Sequence, residues 1–232
     1  MDEAAFVPRW ELDGVGGAVV VVDVIRAFTT AAYALDAGAA EIWLVAGVDE
    51  AVELGRTLPG AIVMGEDHGR RPPGFHLPNS PVLAAQAELA GRPLVQRTSA
   101  GTQGAVAATH ADLLLAASLV CASATAAALR ASGLGAPTYV ITGAFPDRPE
   151  GGDDDRLTAE LIERARLGRP LDAEATAQAV AASDEAAVTI ALGEGNVHPD
   201  DIAYATAVDR FAFAMRIDRV DGGLRLTRHD PG

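Results

Sequence analysis

The sequence predicts a three-layer α/β/α fold built on a mostly parallel, mixed β-sheet. Apolar stretches of strand length alternate with Ala-rich stretches of helix length along the chain, an order typical of α/β proteins. Residues 18–24 carry five valines around Asp23, and a continuous β-branched run is typical of a central parallel strand buried on both faces. We find no linker, repeat or low-complexity tract in the sequence, so we treat residues 1–232 as a single domain.

The first elements follow from this alternation. Residues 28–36 are Ala-rich and precede Gly38, a residue type that often follows the last turn of a helix. Residues 41–46 predict a second strand, residues 49–58 a helix, and residues 61–64 a short third strand. Strands separated by helices in this way imply right-handed crossovers within one sheet.

Residues 66–81 predict a long loop. They hold four prolines and two glycines, which excludes a helix or an inner strand. A loop of this length in a compact domain usually has a function. The alternation of strands and helices continues beyond this loop. We predict a helix over 81–89, a strand over 94–97, a polar turn over 98–102 followed by a helix, a strand over 113–116, a helix over 122–131 and a strand over 138–142. A loop over 143–152 then precedes helices over 153–167, 172–181 and 185–192, and the chain finishes with an antiparallel pair over 211–219 and 222–227 with Asp221-Gly222 at its turn.

The bulk charge excludes some classes of partner. A formal net charge of −14 argues against binding nucleic acid or an anionic membrane, because both are polyanions. An anionic substrate would therefore need a local arginine cluster or a metal ion. The start of the chain lacks the features of a signal peptide and no apolar run approaches about 20 residues, so we expect a cytoplasmic protein. Ala-rich helical surfaces would permit a homodimer.

Polar residues follow several predicted strands, where open α/β sheets bind their ligands. Asp23 and Arg26 follow the first strand, Glu66 and Asp67 the third, residues 98–102 the fourth, and residues 153–155 the last parallel strand and its loop. If these strand ends share one edge of the sheet, carboxylates, hydroxyls and arginines converge there. Such a set suits Mg²⁺, which prefers oxygen ligands and keeps several waters.

The same set suits a phosphoryl group, which needs positive charge or N–H donors against its oxygens. Arg26 and Arg97 would supply charge, and the turn over 99–102 would supply N–H groups. Structural alternatives for these residues remain open. Asp23 is also a plausible helix cap, and residues 153–155 also suit the positive end of a helix dipole. Glu66 and Asp67 also fit a solvated turn.

Other reactive residues have simpler interpretations. His68 and His76 lie in the proline-rich loop, where a histidine is more often a surface residue than a ligand. Cys121 is the only cysteine, which excludes an intrachain disulfide and is typical of a small core residue. Dinucleotide, Walker-type, nucleophile-elbow and zinc motifs are absent from the sequence.

Five segments in order resemble the 2-phosphosulfolactate phosphatases. They are Val-Val-Val-Asp-Val-Ile-Arg-Ala-Phe-Thr-Thr over 20–30, Gly-Glu at 65–66 with Gly-Phe-His-Leu-Pro-Asn-Ser-Pro over 74–81, Thr-Ser-Ala-Gly-Thr over 98–102, Ser-Leu-Val-Cys over 118–121, and Gly-Asp-Asp-Asp over 152–155 with Ala159. The resemblance is strongest over residues 18–168, and residues 169–232 form a helical segment and the terminal β-pair.

The resemblance implies a three-layer α/β fold and Mg²⁺-dependent hydrolysis of a small sulfonated phosphate ester, a step in coenzyme M synthesis. By position it implies an acidic, metal-binding set of Asp23, Glu66, Asp154 and Asp155. It also implies a set that lines the phosphate or substrate, namely Arg26, Asn79, Ser80, Thr98, Ser99, Gly101 and Thr102. A small anionic phosphorylated substrate is thus the expected partner.

The chain departs from the family pattern at several positions. His76 stands in place of Asp, Pro78 in place of Gly, Ala100 and Cys121 in place of Asn, and Asp154 in place of Glu. Loss of the two amides should relax or change specificity, because a site built to hydrogen-bond a group discriminates strongly. Two alternatives therefore stay open, a different enzyme on the same fold that acts on another small phosphorylated or carboxylated acid, and a non-catalytic homologue that binds a small anion.

The resulting hypothesis is phosphomonoester hydrolysis with Mg²⁺ held by the acidic set, directly or through water. The nucleophile would be a metal-activated water or Asp23 itself. Arg26 would balance the charge of the phosphoryl oxygens, and His76 would supply a proton to the leaving oxygen. The catalytic candidates are therefore Asp23, Arg26, Glu66 and His76.

Overall fold

The computed structural model describes residues 3–221 and 223–230, which form one ten-stranded sheet and flanking helices. The strands are β1 (Ala5–Pro8), β2 (Ala18–Val22), β3 (Glu41–Leu44), β4 (Ile62–Gly65), β5 (Leu77–Pro78), β6 (Pro93–Arg97), β7 (Leu113–Ala117), β8 (Thr138–Ile141), β9 (Ala214–Val220) and β10 (Gly223–His229). The α-helices are α1 (Ala27–Asp36), α2 (Val48–Thr57), α3 (Pro81–Gln86), α4 (Gly101–Ala107), α5 (Ala122–Ser132), α6 (Asp153–Arg166), α7 (Ala173–Ala181), α8 (Asp184–Ile190) and α9 (Asp201–Ala205).

The sheet is mixed and mostly parallel, which confirms the predicted fold class. Its strand order is β1-β8-β2-β7-β9-β10-β3-β6-β4-β5. The four strands at each end pair in parallel, whereas β9 and β10 pair antiparallel with each other and with their outer neighbours β7 and β3. Three successive antiparallel pairings reverse the direction, so the two parallel groups run in opposite senses.

The predicted C-terminal antiparallel pair is present, and it lies in the centre of the sheet. Met215, Ile217, Leu224 and Leu226 alternate with more exposed residues and belong to the main core. This period of two buries one face of the hairpin and lets it join the two parallel groups. The predicted turn at Asp221-Gly222 includes Gly222, which lies outside the described residues.

Helices cover both faces of the sheet, as the three-layer prediction requires. The largest core cluster packs α1 against strands of both parallel groups. A second cluster packs α5 and α6 on the opposite face of β2, β7 and β8. A third packs α2 on the corresponding face of β3, β4 and β6. Helix α1 is the most enclosed of these, because residues 27–35 are all buried.

The opposed strand directions correct one expectation. The carboxyl ends of β2 and β8 belong to one parallel group, and those of β4 and β6 to the other, so they do not share a single edge of a parallel sheet. The connections still meet, because those from both groups pack against the start of α1. Gln96 on β6 donates to the carbonyl of Ala27 over 2.9 Å, and Gly101 lies against Asp23 and Ala27.

Several short secondary-structure elements were not predicted from the sequence. Strand β1, helix α9 and the two-residue edge strand β5 were not predicted. Each has five residues or fewer, too short for a clear period in the sequence. Within the described residues, every helix is too short or too polar to cross a membrane.

Candidate functional site

Asp23 lies in the connection between β2 and α1 and is buried, with 5% of its surface exposed. Its Oδ1 accepts a hydrogen bond of 2.8 Å from the N–H of Ala27, the first residue of α1. Its Oδ2 faces Gly101 at the start of α4, where a Cβ would lie only 2.7 Å away. Asp23 therefore combines the helix-capping interpretation with a second oxygen directed between two helices.

Asp155 anchors the first turn of α6 to the end of β2. Its Oδ1 accepts from the N–H of Val24 at 2.9 Å. Its Oδ2 accepts from the N–H of Gly143 at 2.8 Å and from the Thr142 hydroxyl at 3.2 Å. Both oxygens are thus committed to protein donors, which favours a role in fixing the site over direct contact with a ligand.

Asp154 presents an uncommitted oxygen at the same place. Its Oδ2 accepts from the N–H of Ile25 at 3.2 Å. Its Oδ1 is buried and has no hydrogen-bond partner in the described part of the chain. Such orphaned atoms are uncommon in native proteins, and a missing water or ion is one ordinary explanation.

These three carboxyl groups share one electrostatic environment. Burial is the main cause that raises the pKa of Asp23 to about 6. The hydrogen bond from Ala27 opposes this rise, and the charge of Glu66 adds to it. Burial and the charges of Glu185 and Asp23 raise the pKa of Asp154 to about 8. Burial and the charges of Asp154 and Asp23 also raise the pKa of Asp155. The protein therefore buries three carboxyl groups whose negative charge, when they ionise, is poorly balanced by positive charge nearby.

Glu66 joins the proline-rich loop to the turn over 98–102. Its carboxylate accepts from the N–H of Ser99, from the Ser99 hydroxyl at 3.1 Å and from the N–H of Gly69. Arg97 reinforces the junction by donating to the Glu66 carbonyl at 2.8 Å and to Asp67 at 2.6 Å. The Glu66 side chain thus orders two loops beside Asp23.

The turn over 98–102 uses its donors within the protein. The N–H of Thr98 donates to the Thr102 hydroxyl at 2.9 Å, and the N–H of Thr102 donates to the Thr98 hydroxyl at 3.1 Å. Ser99 serves Glu66, and Gly101 brings its backbone against Asp23. The turn positions two carboxylates, and its role in holding phosphate stays a prediction.

Arg26 is the buried cation beside these acids. Its side chain is 3% exposed, and Nη1 donates to Asp201 at 2.9 Å and to the carbonyl of Asn196 at 2.8 Å. Burial lowers the pKa of Arg26, and the charges of Asp201, Glu66 and Asp23 oppose that effect. Ser80 donates to the other oxygen of Asp201 at 2.6 Å.

Asp201 was not singled out by the sequence patterns. An acidic pair at positions 200 and 201, in a segment without a strand before it, is equally typical of a helix start. Asn79, which the resemblance did select, is buried, and its Oδ1 has no partner among the described residues.

The structure does not bring His76 to this cluster. Its side chain is exposed, and Nδ1 accepts from the N–H of Val63 at 3.0 Å on the edge of β4. It lines a separate groove of about 420 Å³ with residues from the end of α2. His68 is exposed as well.

Cys121 belongs to the core, as expected from a lone cysteine. Its side chain is fully buried, and burial raises the pKa of its thiol to about 11. The departure from Asn at this position therefore leaves the acidic cluster untouched, whereas Ala100 directly precedes Gly101.

The donor set can be tested for its fit to Mg²⁺. Within residues 3–221 and 223–230, no three His, Cys, Asp or Glu side chains form a ready-made ligand group. Mg²⁺ in proteins commonly uses one or two carboxylates and keeps its waters. Asp23 Oδ2 and the unpartnered Asp154 Oδ1 would provide that number. The described residues include five buried carboxyl groups, Asp23, Glu66, Asp154, Asp155 and Asp201, and one buried cation, Arg26, so a divalent cation would offset their negative charge when they ionise.

The raised pKa values predict how stability depends on pH when divalent cations are removed. Between the ordinary pKa near 3.8 and the raised values of about 6 and 8, the folded protein keeps protons on Asp23 and Asp154 that the unfolded chain has released. The free energy of unfolding should therefore fall as pH rises from about 4 to 8. Calorimetric Tm values in EDTA across this range would measure it.

Two variants make that measurement specific. Asp154→Asn should flatten the decline, whereas Asp147→Asn, in an exposed loop, should leave it unchanged. A Tm that rises steadily from pH 5 to pH 8 in EDTA would contradict the assigned burial of charge.

Comparison with known proteins supports the resemblance seen in the sequence. The profile of the family described as 2-phosphosulpholactate phosphatase matches residues 7–206. A Bacillus subtilis protein named probable 2-phosphosulfolactate phosphatase is 37% identical over 144 residues, covering 62% of this chain and 61% of that protein. Proteins with the same name from Carboxydothermus hydrogenoformans and Deinococcus radiodurans are 44% identical over 109 residues and 38% identical over 145 residues.

The matches cover only part of each relative. The aligned segments span 47% of this chain and 45% of the Carboxydothermus protein, and 62% of this chain and 60% of the Deinococcus protein. The chain thus spans about half to three fifths of the length of these curated relatives.

Proposed function

Because the chain belongs to the 2-phosphosulfolactate phosphatase family, as the match over residues 7–206 shows, we propose that it hydrolyses a phosphate monoester at the cluster around Asp23. The substrate is 2-phosphosulfolactate or a related phosphorylated hydroxy acid, and the products are the alcohol and inorganic phosphate. In this proposal the step belongs to coenzyme M synthesis. Mg²⁺ is the cofactor we propose.

The observation that carries the proposal is the imbalance of buried charge. Asp23 lies close enough to raise the pKa values of both Asp154 and Asp155, Asp154 also raises that of Asp155, and Arg26 is the buried cation nearby. Nothing in a purely structural role requires three poorly compensated carboxyl groups at one point. A metal ion and an anionic ester together would balance them.

The residues divide the work by their contacts. Asp23 would hold Mg²⁺ through Oδ2 and Asp154 through its unpartnered Oδ1, and Asp155 fixes the start of α6 against β2. The bound ion would supply positive charge to the phosphoryl oxygens and lower the pKa of a coordinated water. Arg26, which donates to Asp201 through Nη1, would contact the phosphoryl oxygens through its remaining donors.

The chemical step is then a displacement at phosphorus. A water beside Asp23 forms the new P–O bond and releases its proton to solvent, because one Asp23 oxygen accepts from Ala27 and the other would hold the ion. The P–O bond to the substrate alkoxide breaks, and that oxygen takes a proton from solvent. This route leaves His76 out, since its side chain lies in a separate groove.

A phosphate-release assay tests the proposal. We expect turnover of 2-phosphosulfolactate with Mg²⁺, loss of turnover in EDTA, and recovery when Mg²⁺ is restored. A panel of non-sulfonated phosphate esters would show whether Ala100 has relaxed the specificity. Absence of phosphate release from the whole panel, with ligand-induced thermal stabilisation retained, would reject hydrolysis in favour of a binding homologue.

A further inference from the structure

Asp201 is the centre of a buried hydrogen-bond network that the sequence did not reveal. Its side chain is fully buried. Its Oδ2 accepts from Arg26 Nη1 at 2.9 Å and from the N–H of His198 at 2.9 Å. Its Oδ1 accepts from the Ser80 hydroxyl at 2.6 Å and, more weakly, from the N–H of Val82 at 3.4 Å. Four donors from three segments of the chain therefore fix this carboxylate.

The network fixes one edge of the Arg26 guanidinium. Nη1 is committed to Asp201 and to the carbonyl of Asn196. In the described part of the chain, Nε and Nη2 form no hydrogen bond. The charges of Asp23 and Glu66 raise the pKa of Arg26, although neither carboxylate accepts a hydrogen bond from it in the described part of the chain. The unused edge is the pair of donors that a guanidinium offers to two oxygens of one anion.

The segment that carries Asp201 is also tied to the proline-rich loop. Asn196 Oδ1 accepts from the N–H of Arg71 at 3.0 Å. Gly69 packs so closely on Leu192 that a Cβ at Gly69 would lie 2.8 Å from that side chain. Arg26 is thus held against a surface that cannot shift without moving the loop containing Glu66.

We infer that Asp201 is a positioning residue, which turns the Nε–Nη2 edge of Arg26 toward the phosphoryl group of the ester. The inference rests on the proposed function. A buried ion pair alone gives little net stability, because desolvation offsets the attraction. A pair kept for stability would also have no reason to leave two guanidinium donors unused beside the acidic cluster.

Asp201→Asn tests the inference, since asparagine keeps the size of the side chain and removes its charge. We expect kcat/KM for the ester to fall about 10- to 100-fold, as when the partner that orients a site residue is lost. The affinity for inorganic phosphate, measured by calorimetry with Mg²⁺ present, should fall about tenfold. Asp200→Asn is the matched control, because Asp200 is adjacent and exposed, and it should leave both values unchanged.

A second pair of variants covers the case in which Asp201→Asn does not fold. If Asp201 acts only through Arg26, Arg26→Met and the double variant Arg26→Met with Asp201→Asn should show the same residual kcat/KM. A further tenfold loss in the double variant would overturn the inference. So would a folded Asp201→Asn protein with wild-type kcat/KM and phosphate affinity.

The outcomes separate this inference from the proposed reaction. Phosphate binding that depends on Arg26 and Asp201, without any turnover, would reject hydrolysis and support the positioning role. Turnover that is insensitive to Asp201→Asn would support hydrolysis and reject the positioning role. A wild-type protein that neither binds phosphate nor hydrolyses the ester would reject both.

Discussion

Replacing Asp23 by asparagine is expected to lower kcat by about 10³-fold, an effect comparable to removing one group that stabilises the transition state directly. The amide oxygen can still accept the 2.8 Å hydrogen bond from Ala27, so α1 keeps its first contact. What is lost is a charged oxygen beside Gly101 and Asp154. Phosphate release at saturating ester and Mg²⁺ would measure the change.

Stability separates this loss from unfolding. Because the variant removes a buried and poorly compensated carboxyl group, its Tm in EDTA at pH 8 should equal or exceed that of the wild-type protein. Asp36→Asn, at the exposed end of the same helix, should keep full activity. Wild-type turnover with normal dependence on Mg²⁺ in Asp23→Asn would remove the core of the proposed mechanism.

Gly65→Ala is expected to produce the largest loss of stability of any Gly→Ala change among the glycines that the structure describes. Gly65 ends β4 with φ +132°, and a Cβ there would lie 1.9 Å from the carbonyl oxygen of Arg97 on β6. That oxygen also accepts the N–H of Glu66 at 2.9 Å. Strain and overpacking each cost about 1–3 kcal/mol, so unfolding in urea should show a loss of roughly 3 kcal/mol or more.

Gly60→Ala provides the matched control for this prediction. Gly60 also has positive φ, at +73°, but a Cβ there would meet no atom within 4 Å. It should lose only the backbone term of about 1 kcal/mol. Similar losses in both variants would show that the close approach of β4 and β6 beside Glu66 is wrong.

Local patterns predicted most of the elements. The valine run gave β2, and the acidic start at residues 153–155 gave α6, whose observed range is Asp153–Arg166. Both patterns arise from burial or from the helix dipole over a few neighbouring residues, so they can be recognised in a single sequence. The strand order does not follow in the same way, because it is set by pairing between distant segments. An alternating hairpin such as β9–β10 fits an edge or a centre equally well.

The site residues likewise fall into those with a local signal in the sequence and those without one. Asp23 and Asp154 were selected by the rule that ligands collect at strand ends, and the structure brings them together. His76 was selected because it lies in the long loop and a histidine can donate a proton near neutral pH, but the loop turns its ring toward Val63. Asp201 was missed because a buried carboxylate that serves a distant arginine has no local signature. Which of these residues act on substrate stays a prediction.

Our central proposal is that Asp23 and Asp154 together form the binding site of a divalent cation. Diffraction from crystals soaked in Mn²⁺, recorded at a wavelength where manganese scatters anomalously, tests it most directly. We predict one anomalous peak at ligand distance, about 2.2 Å, from both carboxylates in the wild-type protein and none in Asp23→Asn. Peaks confined to exposed surface acids, in crystals of a protein that is active with Mn²⁺, would contradict the claim.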